Sequence, residues 1–142
     1  MAEETKTPTL YPLPTTAELS IYSDEVQDIW YMLSEILDPE FPYTLAELRV
    51  IRPEHIVSDE ISVAVVFTPT VPHCGLSTLI GLALREQLRR NFGETRKISV
   101  AVRAHDEAAK LNKQLKDKER VLAAMENPEI ADVINKMIGS FS

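Results

Sequence analysis

Apolar residues recur along this chain at two periods, one helical and one extended, and the switches between them outline its elements. Val26, Ile29, Trp30, Leu33, Ile36 and Leu37 keep helical spacing. Ser23 and Asp24 supply N-cap candidates, and Gln27 follows Asp24 at capping-box distance. This first helix is expected to stop at Asp38-Pro39, because a residue before proline is driven out of helical geometry. Thr44 and Glu47 repeat the capping-box spacing on a short turn. Arg49 to about Val57 then reads as an interrupted strand, with Pro53 marking an edge or a bulge. After a turn at Ser58-Asp59, the residues Ile61, Val63, Val65, Val66 and Phe67 form the clearest strand, apolar enough for the centre of a sheet.

The helical period returns from about Pro72 to Asn91, where Leu76, Leu79, Ile80, Ala83, Leu84 and Leu88 share a face and Gly93 provides a stop. A third strand is expected from about Lys97 to Arg103. Strand, helix, strand is a crossover unit, so the second and third strands should run parallel, while the short turn at Ser58-Asp59 makes the first and second antiparallel. A third helix carrying Leu111, Leu115 and Leu122, and a terminal one carrying Ile130, Val133, Ile134 and Ile138, complete the pattern. The fold class is therefore α+β: two layers, with a small mixed three-stranded sheet covered by helices. Residues 1–20, rich in Thr, Pro and Glu and without a sustained period, are expected to be a mobile N-terminal tail, and residues 21–142 a single domain.

Composition narrows the function classes. A formal net charge of −7 argues against direct binding to nucleic acid or to an anionic membrane, which needs clustered Lys and Arg. The single cysteine excludes an internal disulfide framework, and no stretch approaches the roughly 20 apolar residues of a membrane span. Met-Ala-Glu-Glu-Thr at the start lacks the basic and apolar regions of a secretory signal, so the chain is expected to be soluble and intracellular.

That one cysteine, Cys74, falls where the apolar strand gives way to a helix. Backbone N–H groups in a first helical turn lack intrahelical partners and carry the positive end of the macrodipole, which favours thiolate over thiol. The topology adds a second inference. Parallel strands two and three end at one edge of the sheet, Cys74 and His105 follow those ends, and the loop Asp38-Pro39-Glu40 leads towards the start of strand one at the same edge. A thiol, an imidazole and two carboxylates are thus expected to converge where ligand crevices form in open sheets.

Each of these residues also has a plainer reading. Free cysteine is often a small buried hydrophobe. His73 neighbours Cys74 in sequence, and adjacent helical residues do not face each other, so it reads as a loop anchor rather than half of a dyad. His105 could be a cap, His55 a structural residue beside a bulge, and Asp38 and Glu40 a helix-ending turn. The mixed-charge run Asn112 to Arg120 reads as a solvated helix face. The apolar terminal helix reads as core, with docking to a partner as the alternative. No Gly-rich phosphate loop, zinc spacing or serine elbow points to other catalysis.

Taken together, Asp38-Pro39-Glu40-Phe41-Pro42, Phe67-Thr68-Pro69-Thr70-Val71-Pro72-His73-Cys74, Thr78-Leu79-Ile80-Gly81, Asn112-Lys113-Gln114-Leu115, Asp117 to Val121 and Glu126-Asn127-Pro128 resemble the cytosolic iron-sulfur assembly targeting-subunit family, MIP18-like proteins related to bacterial SufT. The resemblance extends from about Tyr22 onward. It implies an iron-sulfur-assembly-domain-like fold and a non-enzymatic adaptor acting late in cytosolic and nuclear iron-sulfur protein maturation. The implied partners are a WD-repeat propeller subunit, a HEAT-repeat adaptor subunit and apo iron-sulfur client proteins, in the cytoplasm and also the nucleus. Carried across, the reactive cysteine falls on Cys74, the loop around it on Thr68, Pro69, Pro72 and His73, and the acidic loop on Asp38 and Glu40. The family's usual Gly-Thr-His is here Arg103-Ala104-His105, which keeps the imidazole and loses a hydroxyl. No stably bound cofactor is implied, only a transient iron-sulfur cluster, with Cys74 the candidate metal ligand. Two alternatives stay open: a cluster or metal carrier, for which one Cys per chain leaves ligands to be found from a homodimer or a client, and a thiol enzyme using Cys74 and His105.

Overall fold

A computed structural model describes residues 8–69, 74–93, 95–103 and 123–139. Its elements in chain order are α1 (Thr16–Leu19), α2 (Asp24–Ser34), a 3-10 turn (Pro53–His55), β1 (Ile56–Ser58), β2 (Ser62–Phe67), α3 (Cys74–Phe92), β3 (Lys97–Val102) and α4 (Pro128–Ile138). The strand order is β1-β2-β3. β1 and β2 pair antiparallel with Ile56 opposite Val65, and β2 and β3 pair parallel with Phe67 opposite Val102. This is the expected α+β fold with its mixed sheet, and α3 is the crossover that parallel pairing requires. The third helix expected around Leu111, Leu115 and Leu122 lies outside the described residues.

Alternation in the strands sends Val63, Val65 and Phe67 of β2, with Val100 and Val102 of β3, into the core. Against them pack Ile29, Trp30 and Leu33 of α2 and Ile80, Leu84 and Leu88 of α3. α4 contacts α3, and its Ile134 and Met137 are buried, which settles those two side chains as core. A charged clasp fixes the two helices. Glu86, almost wholly buried, accepts from Arg89 Nε and Nη2 at 2.8 and 2.7 Å and from Arg90 Nε at 2.8 Å, and Arg90 also reaches the Asn135 side chain on α4.

Two boundaries differ from the sequence expectation. α2 starts at one of the two expected caps, Ser23, whose hydroxyl accepts from Val26 N–H at 3.2 Å. It ends at Ser34, short of Asp38-Pro39. Ile36 and Leu37 keep helical spacing yet belong to a narrow loop, in which Leu37 bridges Thr44 and Leu45 N–H donates to Ile36 C=O at 2.8 Å. The interrupted strand of Arg49 to Val57 shortens to three residues of β1, because Arg49 takes a left-handed φ of 56° and Pro53 opens a 3-10 turn. The expected cap on the Thr44–Glu47 turn does form, with both reciprocal bonds in place.

Residues 8–20, expected within a mobile tail, are instead fastened to the domain. Tyr11 N–H donates to Glu47 C=O at 2.9 Å and its ring lies 4.5 Å beneath the Arg49 guanidinium. α1 carries a full capping box between Thr15 and Glu18 and seats Leu19 in the core at 1% exposure. Three prolines and several threonines hide this segment from a periodicity argument, although the Thr15-to-Glu18 spacing was a legible signal. Residues 1–7 lie outside the described residues.

Candidate functional site

Parallel pairing brings the last residues of β2 and β3 side by side, and Arg103 N–H extends the ladder by donating to Phe67 C=O at 2.7 Å. Thr68 and Pro69 leave β2 at this edge. The Thr68 N–H donates to Val50 C=O at 3.0 Å, Val50 N–H to Leu45 C=O at 2.9 Å, and Leu45 N–H to Ile36 C=O at 2.8 Å. This chain of backbone bonds ties the loop after β2 to the loop that holds Asp38 and Glu40. Two of the regions named from the sequence are thus mechanically linked through the 44–50 turn, a connection that the sequence pattern did not reveal.

The acidic loop is organised by its first carboxylate. Asp38 Oδ1 accepts from Glu40 N–H at 2.8 Å and Phe41 N–H at 3.1 Å, an Asx turn, and Asp38 N–H donates to Tyr43 C=O at 2.9 Å. Asp38 is 7% exposed, and its Oδ2 is buried with no hydrogen-bond partner among the described residues. A buried carboxylate oxygen without a donor is unfavourable by itself, so this atom is a place where an added donor or cation would be stabilised. Glu40 is exposed. Leu37 N–H donates to Met137 C=O at 2.8 Å, which anchors the loop to the end of α4.

On the other side of the edge, Cys74 is the first residue of α3. Its backbone therefore belongs to the helical turn whose N–H groups lack intrahelical acceptors. Ser77, one turn on and fully buried, has a hydroxyl without a partner among the described residues. Pro72, His73 and His105 lie outside the described residues, and so does any contact between them and Asp38.

The edge also contains a pair that the sequence reading missed. His55, taken there as merely structural, directs Nε2 to Arg103 Nη1 at 2.8 Å. Guanidinium can only donate, so Nε2 accepts and the proton of neutral His55 sits on Nδ1, which is buried without a partner. Burial, assisted by Arg103 and Arg52 and opposed by Glu54, holds the His55 pKa below the usual histidine value. The signal was topological: the start of an antiparallel β1 must lie near the end of β3. Among the described residues no cluster of His, Cys, Asp and Glu has metal-binding geometry, and no helix is long and apolar enough to cross a membrane.

Comparison with known proteins bears on this edge directly. A family model described as iron-sulfur cluster assembly protein matches residues 26–102, which take in the acidic loop, all three strands and α3. The chain is 43% identical over 117 residues to a MIP18 family protein of Caenorhabditis elegans, covering 78% of this chain and 73% of that one. It is 43% identical over 124 residues to cytosolic iron-sulfur assembly component 2B of Mus musculus, covering 84% and 76%. To Protein AE7 of Arabidopsis thaliana it is 42% identical over 129 residues, covering 88% and 82%.

Proposed function

The chain belongs to the MIP18 family of iron-sulfur cluster assembly proteins, and from that premise we propose that it is an adaptor of cytosolic iron-sulfur assembly that helps deliver clusters to apo-proteins. The observation that carries the mechanism is the position of Cys74 as the opening residue of α3, directly beyond the sheet edge where β2 and β3 both end. There the positive end of the α3 dipole favours a thiolate. The thiolate serves as a transient ligand to the iron of a cluster in transit, or engages a client.

Asp38 and Glu40, with His105, complete the reactive edge, while Thr68, Pro69, Pro72 and His73 shape the loop that presents Cys74. The Asp38 Oδ2, buried and without a donor, supports a role for this loop beyond ending a helix. The protein works in the cytoplasm and the nucleus with a WD-repeat propeller subunit and a HEAT-repeat subunit. One cysteine per chain fits a ligand that completes a shared thiolate set better than a resident cluster site.

The test is affinity purification of the tagged chain from its own cells, wild type beside Cys74→Ala, with quantitative mass spectrometry. Both forms should recover the propeller and HEAT-repeat subunits, and the mutant should lose the iron-sulfur clients. Failure of the wild type to recover either assembly subunits or iron-sulfur proteins sinks the adaptor reading. Equal client recovery by the mutant removes Cys74 from it.

A further inference from the structure

Far along the chain from Cys74, residues 12–14 and the 46–54 turn enclose an open cavity of about 630 Å³. That is within the size range of sites that hold a small ligand or a few side chains of a peptide. Trp30 of α2 lines it. The indole is 3% exposed, and its N–H is buried with no acceptor among the described residues. Buried N–H donors are normally paired, so this one calls for an acceptor that the described residues do not supply.

The charged groups around the cavity are largely spoken for. Arg52 pairs with Glu54 at 2.8 Å, and Glu18 Oε1 accepts from Thr15 N–H at 2.8 Å in the α1 cap. Arg49 is different. It is exposed, its guanidinium rests on the Tyr11 ring at 4.5 Å, and no carboxylate lies within ion-pair distance among the described residues. The left-handed backbone at Arg49 makes this an unusual place for a side chain other than glycine. The rim is apolar and open, with Leu13 52% and Ile21 79% exposed.

Among the described residues, then, the cavity lining holds one N–H donor without an acceptor and one cation, Arg49, stacked on Tyr11 but without a carboxylate. We infer that this cavity is a docking site for an extended segment of a partner protein that carries an apolar side chain next to an acidic one. The acidic group meets Arg49, a backbone carbonyl accepts from the Trp30 indole, and the apolar side chain fills the space between Leu13 and Ile21. A nucleic acid would bring anions, but the walls offer it no basic track, and the chain's net charge of −7 opposes it. The same net charge opposes a second copy of the chain as the occupant. The surface is independent of the Cys74 edge and stands or falls separately from it.

The experiment selects a phage-displayed library of random heptapeptides on the full chain and titrates the enriched sequence as a synthetic peptide. Trp30 is the sole tryptophan, so its emission reports occupancy of the cavity. Enriched peptides should place Asp or Glu beside Leu, Ile or Phe and should shift the Trp30 emission. Arg49→Glu should weaken binding by about tenfold or more and Ile21→Ser by several-fold, whereas Arg49→Lys, which keeps the cation, stays within about threefold. Val57→Ser, at an exposed β1 position outside the cavity lining, and Cys74→Ala should leave the affinity unchanged. Unshifted Trp30 emission at saturation, enrichment of basic peptides, or equal affinity for Arg49→Glu overturns the assignment. So does a gain of more than about tenfold on deleting residues 1–7, which would make the chain's own N-terminus the occupant.

Discussion

Asp38 does two things with one carboxylate, and the two can be separated. Oδ1 holds the loop by accepting from Glu40 and Phe41 N–H, while the buried Oδ2 has no partner. Asp38→Ala removes both accepted bonds and should cost about 1–3 kcal/mol in chemical denaturation. Asp38→Asn keeps an Asx-turn acceptor, so stability should change by less than about 1 kcal/mol, and a loss of client recovery in that variant would reflect the missing charge alone. If Asp38→Asn recovers clients like wild type, the carboxylate is only a loop organiser. His55 offers a pH test at the same scale. Its folded pKa lies below the usual 6.5, chiefly through burial, so the unfolded chain binds the proton more readily. The stability from neutral His55 is complete above that value and is lost as pH falls through it towards the lower folded value. Thermal unfolding of His55→Gln should lack this part of the acid destabilisation, and an unchanged pH profile between about pH 7 and 5 would rule out the assigned protonation. The sequence named Asp38 through the strand topology that sets its loop at the shared edge and through the family resemblance. It left His55 aside because its partner Arg103 is distant in the chain and adjacent only through strand pairing.

At the scale of elements, period and pairing rules placed β2, β3 and α3 well because their apolar positions are decided by burial in one core. They misplaced the end of α2 because Ile36 is buried whether or not it is helical. Its carbonyl is claimed by Leu45 N–H, and a hydrophobic period carries no information about where backbone hydrogen bonds go. The α3–α4 clasp was equally hidden, since Glu86 looks like any helical surface carboxylate until α4 is laid over it. Its pKa is lowered first by the hydrogen bond from Arg89, then by Arg90, against burial that raises it. Its contribution is present at neutral pH and disappears as pH falls through a folded value below the usual 4.5. Glu86→Gln should cost about 1–3 kcal/mol by losing charge-assisted bonds while keeping the shape. The deficit should shrink as pH falls through that lowered folded value, where wild-type Glu86 itself takes up the proton. A deficit that persists at low pH would assign the cost to packing instead of charge.

Across the whole molecule, the N-terminal segment is the part whose role changed most between sequence and structure. The sequence offered Pro8, Pro12 and Pro14 and no period, which reads as a tail; yet these prolines restrict the chain so that little freedom is lost when it lies flat on the domain. Three anchors hold it there: the Tyr11 backbone bond, the Arg49–Tyr11 stack and Leu19 in the core. Leu19 is the anchor that can be weighed most directly, because it is buried in the same core cluster as residues of the 44–51 turn and α2 rather than in a separate one. Leu19→Ala should therefore lower the unfolding free energy of the whole domain by about 2–5 kcal/mol, within one cooperative transition. Deleting residues 1–20 should destabilise at least as much, since it removes Leu19 together with the other two anchors and opens the wall of the Trp30 cavity. Denaturant unfolding followed by Trp30 fluorescence and by far-UV circular dichroism decides the matter. Coincident midpoints shifted together mean that the segment is part of the folding unit. A truncated chain as stable as wild type would return residues 8–20 to the status of a dispensable tail, and with them would go the cavity wall on which peptide docking beside Trp30 depends.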